Sequence, residues 1–354
     1  MRKEEITDAD ELFDSMKKCR KSVGWKPSVI SFCLNGVEKT MKMEMDIKNG
    51  KWKNGKPRPI TITYPKRREG LSIQFTDRVY QRSLNDNSVY PETTRSFIYD
   101  NCACQRGKGT SFARKRIKQF IKHFAAKGGY VLHIDIKGYY PNMRHDKVKE
   151  MFAKRLKPDI YKMVADVLDT QYSGSVGYNP GSQMVQIAGI ALLDRLDHFI
   201  KEKCRARYYI RYMDDIYVLH EDEKVLNHIL SEAEVLLTDL GFETNKKKTM
   251  ISKLSDGFMF LGFNYRVTAT GKIVTTLDPK NIKHERQKLA RMAQKAKQGF
   301  ISRAKVDECY HSWKSHASYG NSYNLLKRMD EYYKNLWRDS ENGETEQKNN
   351  GNQR

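Results

Sequence analysis

Residues 206–222 read ARYYIRYMDDIYVLHED. Two β-rich halves flank Met213-Asp214-Asp215, a pattern that predicts a β-hairpin with adjacent carboxylates at its turn. A second apolar run, YVLHIDI at 130–136, is bounded by Gly138 and Pro141 and reads as a buried strand carrying Asp135. A carboxylate on a buried strand is costly unless it is paired or bound to a cation. Three such acids on two β-elements that can lie side by side make a pocket for divalent cations. Hard oxygen ligands favour Mg²⁺, with substrate phosphates as its other ligands. Two ions about 3.5–4 Å apart stabilise both the attacking and the leaving oxygen of a phosphoryl transfer. Taken alone, each site reads equally as a turn acid or a strand-end cap, because Asp favours turns. The two together, in a chain this basic, favour the cation pocket.

The basic balance is the second constraint. The 354 residues carry 65 Lys and Arg against 43 Asp and Glu, a formal net charge of +22. A surplus of that size repels itself and points to a polyanionic partner, the alternative being a solvated lysine-rich surface. With 20 Tyr and 14 Phe the chain is not a wholly disordered basic protein. No apolar run approaches the ~18–20 residues of a membrane span. The first residues, MRKEEITDADELFD, hold no apolar signal core, so export is not expected. Cys19, Cys33, Cys102, Cys104, Cys204 and Cys309 are dispersed and form no CxxC pair. Reduced thiols and a cytoplasmic location fit that usage, with Cys102 and Cys104 read as packed rather than metal-binding.

Along the chain, helical spacing appears at about 6–24, 74–88, 109–126, 144–170, 182–203 and 223–240. Residues 48–70 mix basic residues, Gly and Pro around ITITY and read as a basic hairpin. A strand is expected near 258–265. Beyond Pro279, residues 280–305 hold nine Lys or Arg against the single acid Glu285, in a helical pattern, and another helical segment runs to about Trp337. The tail at 339–354 has no apolar content and reads as disordered.

Tyr212-Met213-Asp214-Asp215 matches the YxDD box of reverse transcriptases, and 135–140, DIKGYY, resembles the acid-plus-aromatic box that precedes it in that family. The order agrees too. A basic segment comes first, then the single-Asp strand, Asn179-Pro180-Gly181, YMDD, Gly241-Phe242 with Lys246-Lys247-Lys248-Thr249, and Phe260-Leu261-Gly262-Phe263. The resemblance covers roughly residues 60–265 and implies roles position by position. Asp135 and Asp214 would be the principal metal ligands, Asp215 a weaker one, and Ile136 part of the same metal set. The implied cofactor is a pair of Mg²⁺ ions, with Mn²⁺ as the alternative. Tyr140 falls where the family places a steric gate against the ribose 2′-OH, the group that separates RNA from DNA precursors. Lys66 and Arg68 resemble the pair that grips the incoming triphosphate, and Gly181 belongs to the same dNTP site. Lys248 resembles a proton donor to the leaving pyrophosphate. Phe260, Leu261 and Gly262 resemble the primer grip. Lys283, Arg286 and Arg291 would meet the nucleic-acid backbone.

Gly181 is followed by Val185-Gln186 where many members carry Ser-Pro. The Gln is similar to the reverse transcriptases of diversity-generating retroelements. So are Phe97-Ile98-Tyr99-Asp100 with 107–110, GKGT, and Ser312-Trp313 with His316, Asn321 and Tyr323. Group II intron-like and antiphage-defence enzymes are the alternatives. The expected fold is α+β, a right-hand polymerase: N-terminal segment and fingers at 1–127, palm at 128–270 with an antiparallel sheet, and helical thumb at 279–338. The implied reaction is RNA-templated DNA synthesis, with template RNA, the RNA–DNA hybrid and dNTPs as partners. An accessory protein is a further candidate partner, and no membrane is involved. A non-catalytic RNA-binding protein on the same fold, or an enzyme that polymerises without an ordinary template, are the competing readings. The last fifty residues show no spaced acids suited to an RNase H site.

Overall fold

The computed structural model describes residues 3–63, 67–179 and 181–338. The described residues form nine strands: β1 (Arg58–Ile62), β2 (Arg68–Ser72), β3 (Tyr130–Asp135), β4 (Tyr208–Tyr212), β5 (Asp215–His220), β6 (Met250–Lys253), β7 (Phe258–Phe260), β8 (Phe263–Val267) and β9 (Ile273–Leu277). The chain divides into two compact units, Met1–Arg116 with Leu132–Ile251, and Ile117–Val131 with Ser252–Arg354. No helix among the described residues is long and apolar enough to cross a membrane. The tail read as disordered, 339–354, lies outside the described residues.

The first unit is built around a four-stranded sheet of order β4-β5-β3-β6. β4 and β5 pair antiparallel, from Tyr208 opposite Leu219 to Tyr212 opposite Asp215. The expected hairpin is therefore present, with Met213-Asp214 as its two-residue turn and Asp215 already opening β5. The helix Glu223–Asp239 packs against β5. Asp222 caps it by accepting from Lys224 N at 2.8 Å, and Leu226, Ile229, Ala233 and Leu237 form its buried stripe. The basic hairpin at 48–70 is also present: β1 and β2 pair antiparallel, with Ile62 opposite Arg68.

Three expected helices come out differently. The helix at 144–170 is two, His145–Ala153 and Pro158–Gln171. Proline forces the preceding Lys157 into an extended conformation and starts a new helix at its own position. The single helix expected at 182–203 is broken into Gln183–Ala191, Asp194–His198 and a π-helical turn Phe199–Lys203. The single N-terminal helix expected at 6–24 is instead a short turn of helix, Lys3–Ile6, and Ala9–Arg20, and two more helices follow, Pro27–Leu34 and Gly36–Lys48. Their buried positions, Val29 and Phe32, then Thr40, Met43 and Ile47, do follow helical spacing.

The break after Ala191 has a visible cause. It brings Asp197 to Arg211 of β4, and both are fully buried. The guanidinium donates from Nε to Asp197 Oδ1 and from Nη2 to Oδ2, each at 2.6 Å. It also donates to the carbonyls of Ile190 and Met213, each at 2.8 Å, while the Tyr209 hydroxyl donates to Asp197. Burial pushes the Asp197 carboxyl up, and Arg211 opposes that shift by its charge and its hydrogen bonds. On the outer edge of β4, Arg211 N donates to Asp100 O at 3.1 Å and Cys102 N to Arg211 O at 2.9 Å. The carboxylate of Asp100 is gripped by Arg116, whose Nε lies 2.7 Å from Oδ1. The FIYD box thus ends as a short strap along the sheet edge.

The second unit holds the three-stranded sheet β7-β8-β9, antiparallel throughout. The strand expected near 258–265 is thus two strands of a three-stranded sheet. The turn between β7 and β8 is Leu261-Gly262, with φ of 47° and 85°, the pattern of a tight primed hairpin turn. Three helices follow, Pro279–Lys297, Arg303–Ala317 and Tyr323–Asn335. They enclose Leu289, Ala293, Val306, Tyr310, Met329, Tyr333 and Trp337, with Tyr310 stacked on Tyr333 at 4.2 Å. Asn321 joins the helices to the sheet, since Thr275 N donates to its Oδ1 at 2.8 Å and its own N–H donates to Thr275 O.

Arg211→Met alone leaves Asp197 charged and unpaired in the core, and should lower unfolding stability by about 3–5 kcal/mol. Arg211→Met with Asp197→Leu should recover most of that loss in urea unfolding. A double variant no more stable than the single one would show that the ion pair is not what the core there depends on.

Candidate active site

The turn of the β4–β5 hairpin is the centre of the candidate site. Met213 sits at φ 57°, a left-handed conformation that costs a non-glycine residue about 1–2 kcal/mol. The Arg211 bond to the Met213 carbonyl holds it there. That turn presents Asp214, and the next residue, Asp215, begins β5 beside β3. Burial raises the Asp214 carboxyl pKa, and the charges of Asp215 and Asp135 raise it further.

Asp135 ends β3 and is fastened by the loop that precedes β6. Asn245 N donates to Asp135 O at 2.7 Å, Asp135 N donates to Thr249 Oγ1 at 3.2 Å, and Lys137 N donates to Glu243 O at 2.9 Å. Ile136 is buried and bridges Thr244 in the same strap. This loop also delivers Lys248, whose ammonium lies 2.9 Å from Asp135 Oδ1. That hydrogen bond raises the Lys248 pKa, so Lys248 stands as a charged partner on Asp135.

The motifs of the sequence do not point to one further group. His133 lies two residues before Asp135 on β3, and its Nε2 is 3.3 Å from Asp215 Oδ1. Its ring stacks on Tyr217 at 4.5 Å. His133, Asp135 and Asp215 each offer a ligand atom, and these atoms lie within 4.8 Å of one another. The fold therefore brings Asp135 and Asp215 together with an imidazole, and places Asp214 beside them on the turn. Alternation along β3 puts residues 133 and 135 on one face, so the strand period alone pairs the histidine with the acid. The donor set suits a divalent cation: carboxylates dominate, and the one ammonium on Asp135 is 60% exposed and displaceable.

The other expected site residues are distributed as follows. Tyr140 is half-buried against helix Gln183–Ala191. A Cβ at Gly189 would come within 2.8 Å of its hydroxyl oxygen, and Tyr139 donates to the Gly189 carbonyl at 2.6 Å. Gly181 lies against β2, where a Cβ would run into the Leu71 carbonyl oxygen. Ser182 caps the helix that follows and donates to Gln81. Arg68 opens β2 and is exposed, whereas Lys66 and Pro180 lie outside the described residues. A cleft of about 470 Å³ beside Leu71 and Gly181 is lined by Lys18, Lys21, Arg78 and Arg82. In the second unit, Phe260 is buried and Leu261-Gly262 forms the half-buried turn between β7 and β8. Lys283 and Arg291 are exposed on helix Pro279–Lys297. Arg286 leans instead on that unit's own helices, with Nε 3.3 Å from Met329 Sδ and its guanidinium 5.2 Å from the Tyr332 ring centre. All six cysteines are free thiols, and burial pushes Cys102 up to about 12.

A single-acid strand beside an acid-tipped hairpin, on a sheet backed by helices, defines the palm of a right-hand polymerase. The family model for reverse transcriptase (RNA-dependent DNA polymerase) matches residues 47–265, and the chain belongs to that family. Its fold is accordingly α+β of the right-hand polymerase type. No curated protein matches. A solved structure described as apo telomerase from Candida tropicalis, truncated from the C-terminal domain, is similar at TM-score 0.46 and 14% identity. The match covers 64% of this chain and 55% of that one, so the chain spans little more than half the length of that relative.

If Lys248 occupies the place of a cation on Asp135, then Lys248→Met should raise the affinity of the nucleotide-free protein for Mn²⁺ severalfold. Electron paramagnetic resonance of free Mn²⁺ measures this directly. Unchanged or weaker binding would show that Lys248 does not compete for the carboxylate.

Proposed function

We propose that the chain is an active reverse transcriptase, performing RNA-templated DNA synthesis by two-metal nucleotidyl transfer from dNTPs to a primer 3′-hydroxyl. The observation that carries this reading is the convergence of Asp135 and Asp215 with Asp214 on the adjoining turn, within a domain of the reverse transcriptase family. A non-catalytic RNA-binding role does not require carboxylates where phosphates must approach.

In this reaction the primer oxygen forms a bond to the α-phosphorus, the α–β bridging P–O bond breaks, and pyrophosphate leaves as the 3′-hydroxyl proton is lost. Divalent cations, Mg²⁺ or Mn²⁺, held by these carboxylates would supply charge neutralisation at the phosphates and would lower the pKa of the attacking hydroxyl. Asp135, Asp214 and Asp215 hold the cations, with Ile136 fixing the end of β3. Arg68, with Lys66, binds the triphosphate, and Gly181 keeps the neighbouring backbone low enough for the nucleotide to approach. Tyr140 fills the space a ribose 2′-OH would need. Lys248, held charged, is positioned to give a proton to the leaving pyrophosphate once released from Asp135. Phe260, Leu261 and Gly262 grip the primer, and Lys283, Arg286 and Arg291 follow the backbone of the RNA–DNA hybrid.

The biological setting we favour is a retroelement of the diversity-generating type, with an accessory protein as a further partner. Gln186 after Gly181 and the FIYD strap at Asp100 support it.

Asp214→Asn should reduce dNTP incorporation on a primed RNA template by roughly 10²–10³-fold or more while RNA affinity stays within about twofold. Full activity in that variant would sink the mechanism. Tyr140→Ala should raise ribonucleotide use relative to dNTP by roughly tenfold or more. A ratio that does not move would remove the gate assignment.

A further inference from the structure

The N-terminal helices of the first unit carry two apolar stripes, and the chain uses only one. On Gly36–Lys48, Thr40, Met43 and Ile47 face the core. Val37, Met41 and Met45, at i, i+4 and i+8, remain exposed, and so do Trp25, Ile30 and Leu34 just before them. These six side chains are between 46% and 77% exposed. Scattered apolar residues on a surface are ordinary, but six along one 21-residue segment are a concentration of the kind that marks an interaction site.

The chemistry of the segment limits what can cover it. Residues 25–45 hold Lys26, Lys39 and Lys42 against Glu38 and Glu44, a net +1 in a chain of +22. Nucleic acid has no cationic track there, and of the six side chains only Trp25 offers bases a ring to stack on. An acidic protein would be drawn to the rest of the surface before this one. A nearly neutral, mostly aliphatic face flanked by both signs is self-complementary. Six side chains, half to three-quarters bare, expose on the order of 600–700 Å², near the ~800 Å² each partner gives to a stable interface. Methionine also adapts its shape to the facing surface. We propose that this stripe is an isologous interface through which two copies of the chain pair about a two-fold axis. The proposal is independent of the catalytic reading.

Self-association of a +22 chain works against its own repulsion, so pairing should tighten as salt rises. RNA binding should do the opposite. Sedimentation velocity of the RNA-free full-length chain, from about 1 to 100 µM, tests this. The expected result is a concentration-dependent dimer, severalfold tighter at about 0.5 M than at about 0.1 M salt. Leu34→Glu and Met41→Glu should each weaken it by roughly tenfold or more, with circular dichroism and primer extension unchanged. Val235→Glu, at an exposed apolar position on helix Glu223–Asp239, should leave it intact. A monomer at every concentration and both salts overturns the proposal, whether the stripe is bare or covered in the cell by a different protein. A dimer indifferent to Leu34→Glu and Met41→Glu overturns it too, and so does an assembly that weakens with salt.

Discussion

The buried pair Arg211–Asp197 is the contact on which the rest of the first unit depends. A guanidinium and a carboxylate with no exposed surface are tolerable only if every donor and acceptor finds a partner. Meeting that requirement interrupts the helix after Ala191, so that Asp197 can reach β4. It also draws the carbonyl of Met213 onto the guanidinium, which stabilises the left-handed turn that a methionine would otherwise leave. At the strand edge, the backbone of Arg211 pairs with the strap from Asp100 to Cys102. One residue therefore ties the palm helices, the edge strap and the acid-bearing turn to a single strand.

The acids are placed by backbone rather than by one another. Asp135 is set through its own backbone by the loop at 243–249, with Asn245 N on its carbonyl and its N–H on Thr249 Oγ1, and Asp214 and Asp215 by the hairpin register. This matters because like charges repel: burial raises the Asp214 carboxyl, and the charges of Asp215 and Asp135 add to that shift. The fold holds the negative charges together against their preference. Lys248 and His133 relieve them locally, the first as an ion pair on Asp135 and the second as a hydrogen bond to Asp215. A site under this electrostatic load gains most when a divalent cation arrives.

The hairpin and the single-Asp strand are legible in the sequence because both are short apolar runs whose acids interrupt the pattern. The right-hand polymerase fold follows from the order of those motifs, and family membership agrees. Other features turn on contacts that a linear pattern does not encode. Asp197 and Arg211 lie fourteen residues apart and read separately as a helix-surface acid and a strand cation. His133 reads as an interruption in an apolar strand until β3 is placed beside β5. The break of 182–203 carries no proline and arises from the tertiary demand of Asp197. The helices at 27–48 have readable spacing, but two apolar stripes on one helix blur the single-face signature of amphipathicity. Arg286 reads as one more exposed cation of a basic helix, and it is exposed, but its guanidinium also lies over Tyr332, a contact the spacing does not announce.

Charge also divides the labour between attraction and discrimination. A field from 65 basic side chains draws any polyanion and cannot choose among them. Choice requires contacts that are close, uncharged and short of water. The packing of Tyr140 on Gly189 is of that kind, since a Cβ at Gly189 would come within 2.8 Å of the Tyr140 hydroxyl and the ring is held in place. The bare stripe from Trp25 to Met45 is of that kind as well, since it offers shape and apolar area where the surrounding charge nearly cancels. Under the proposed function, the basic surface would set how strongly nucleic acid is held, and the close apolar contacts would set what is accepted.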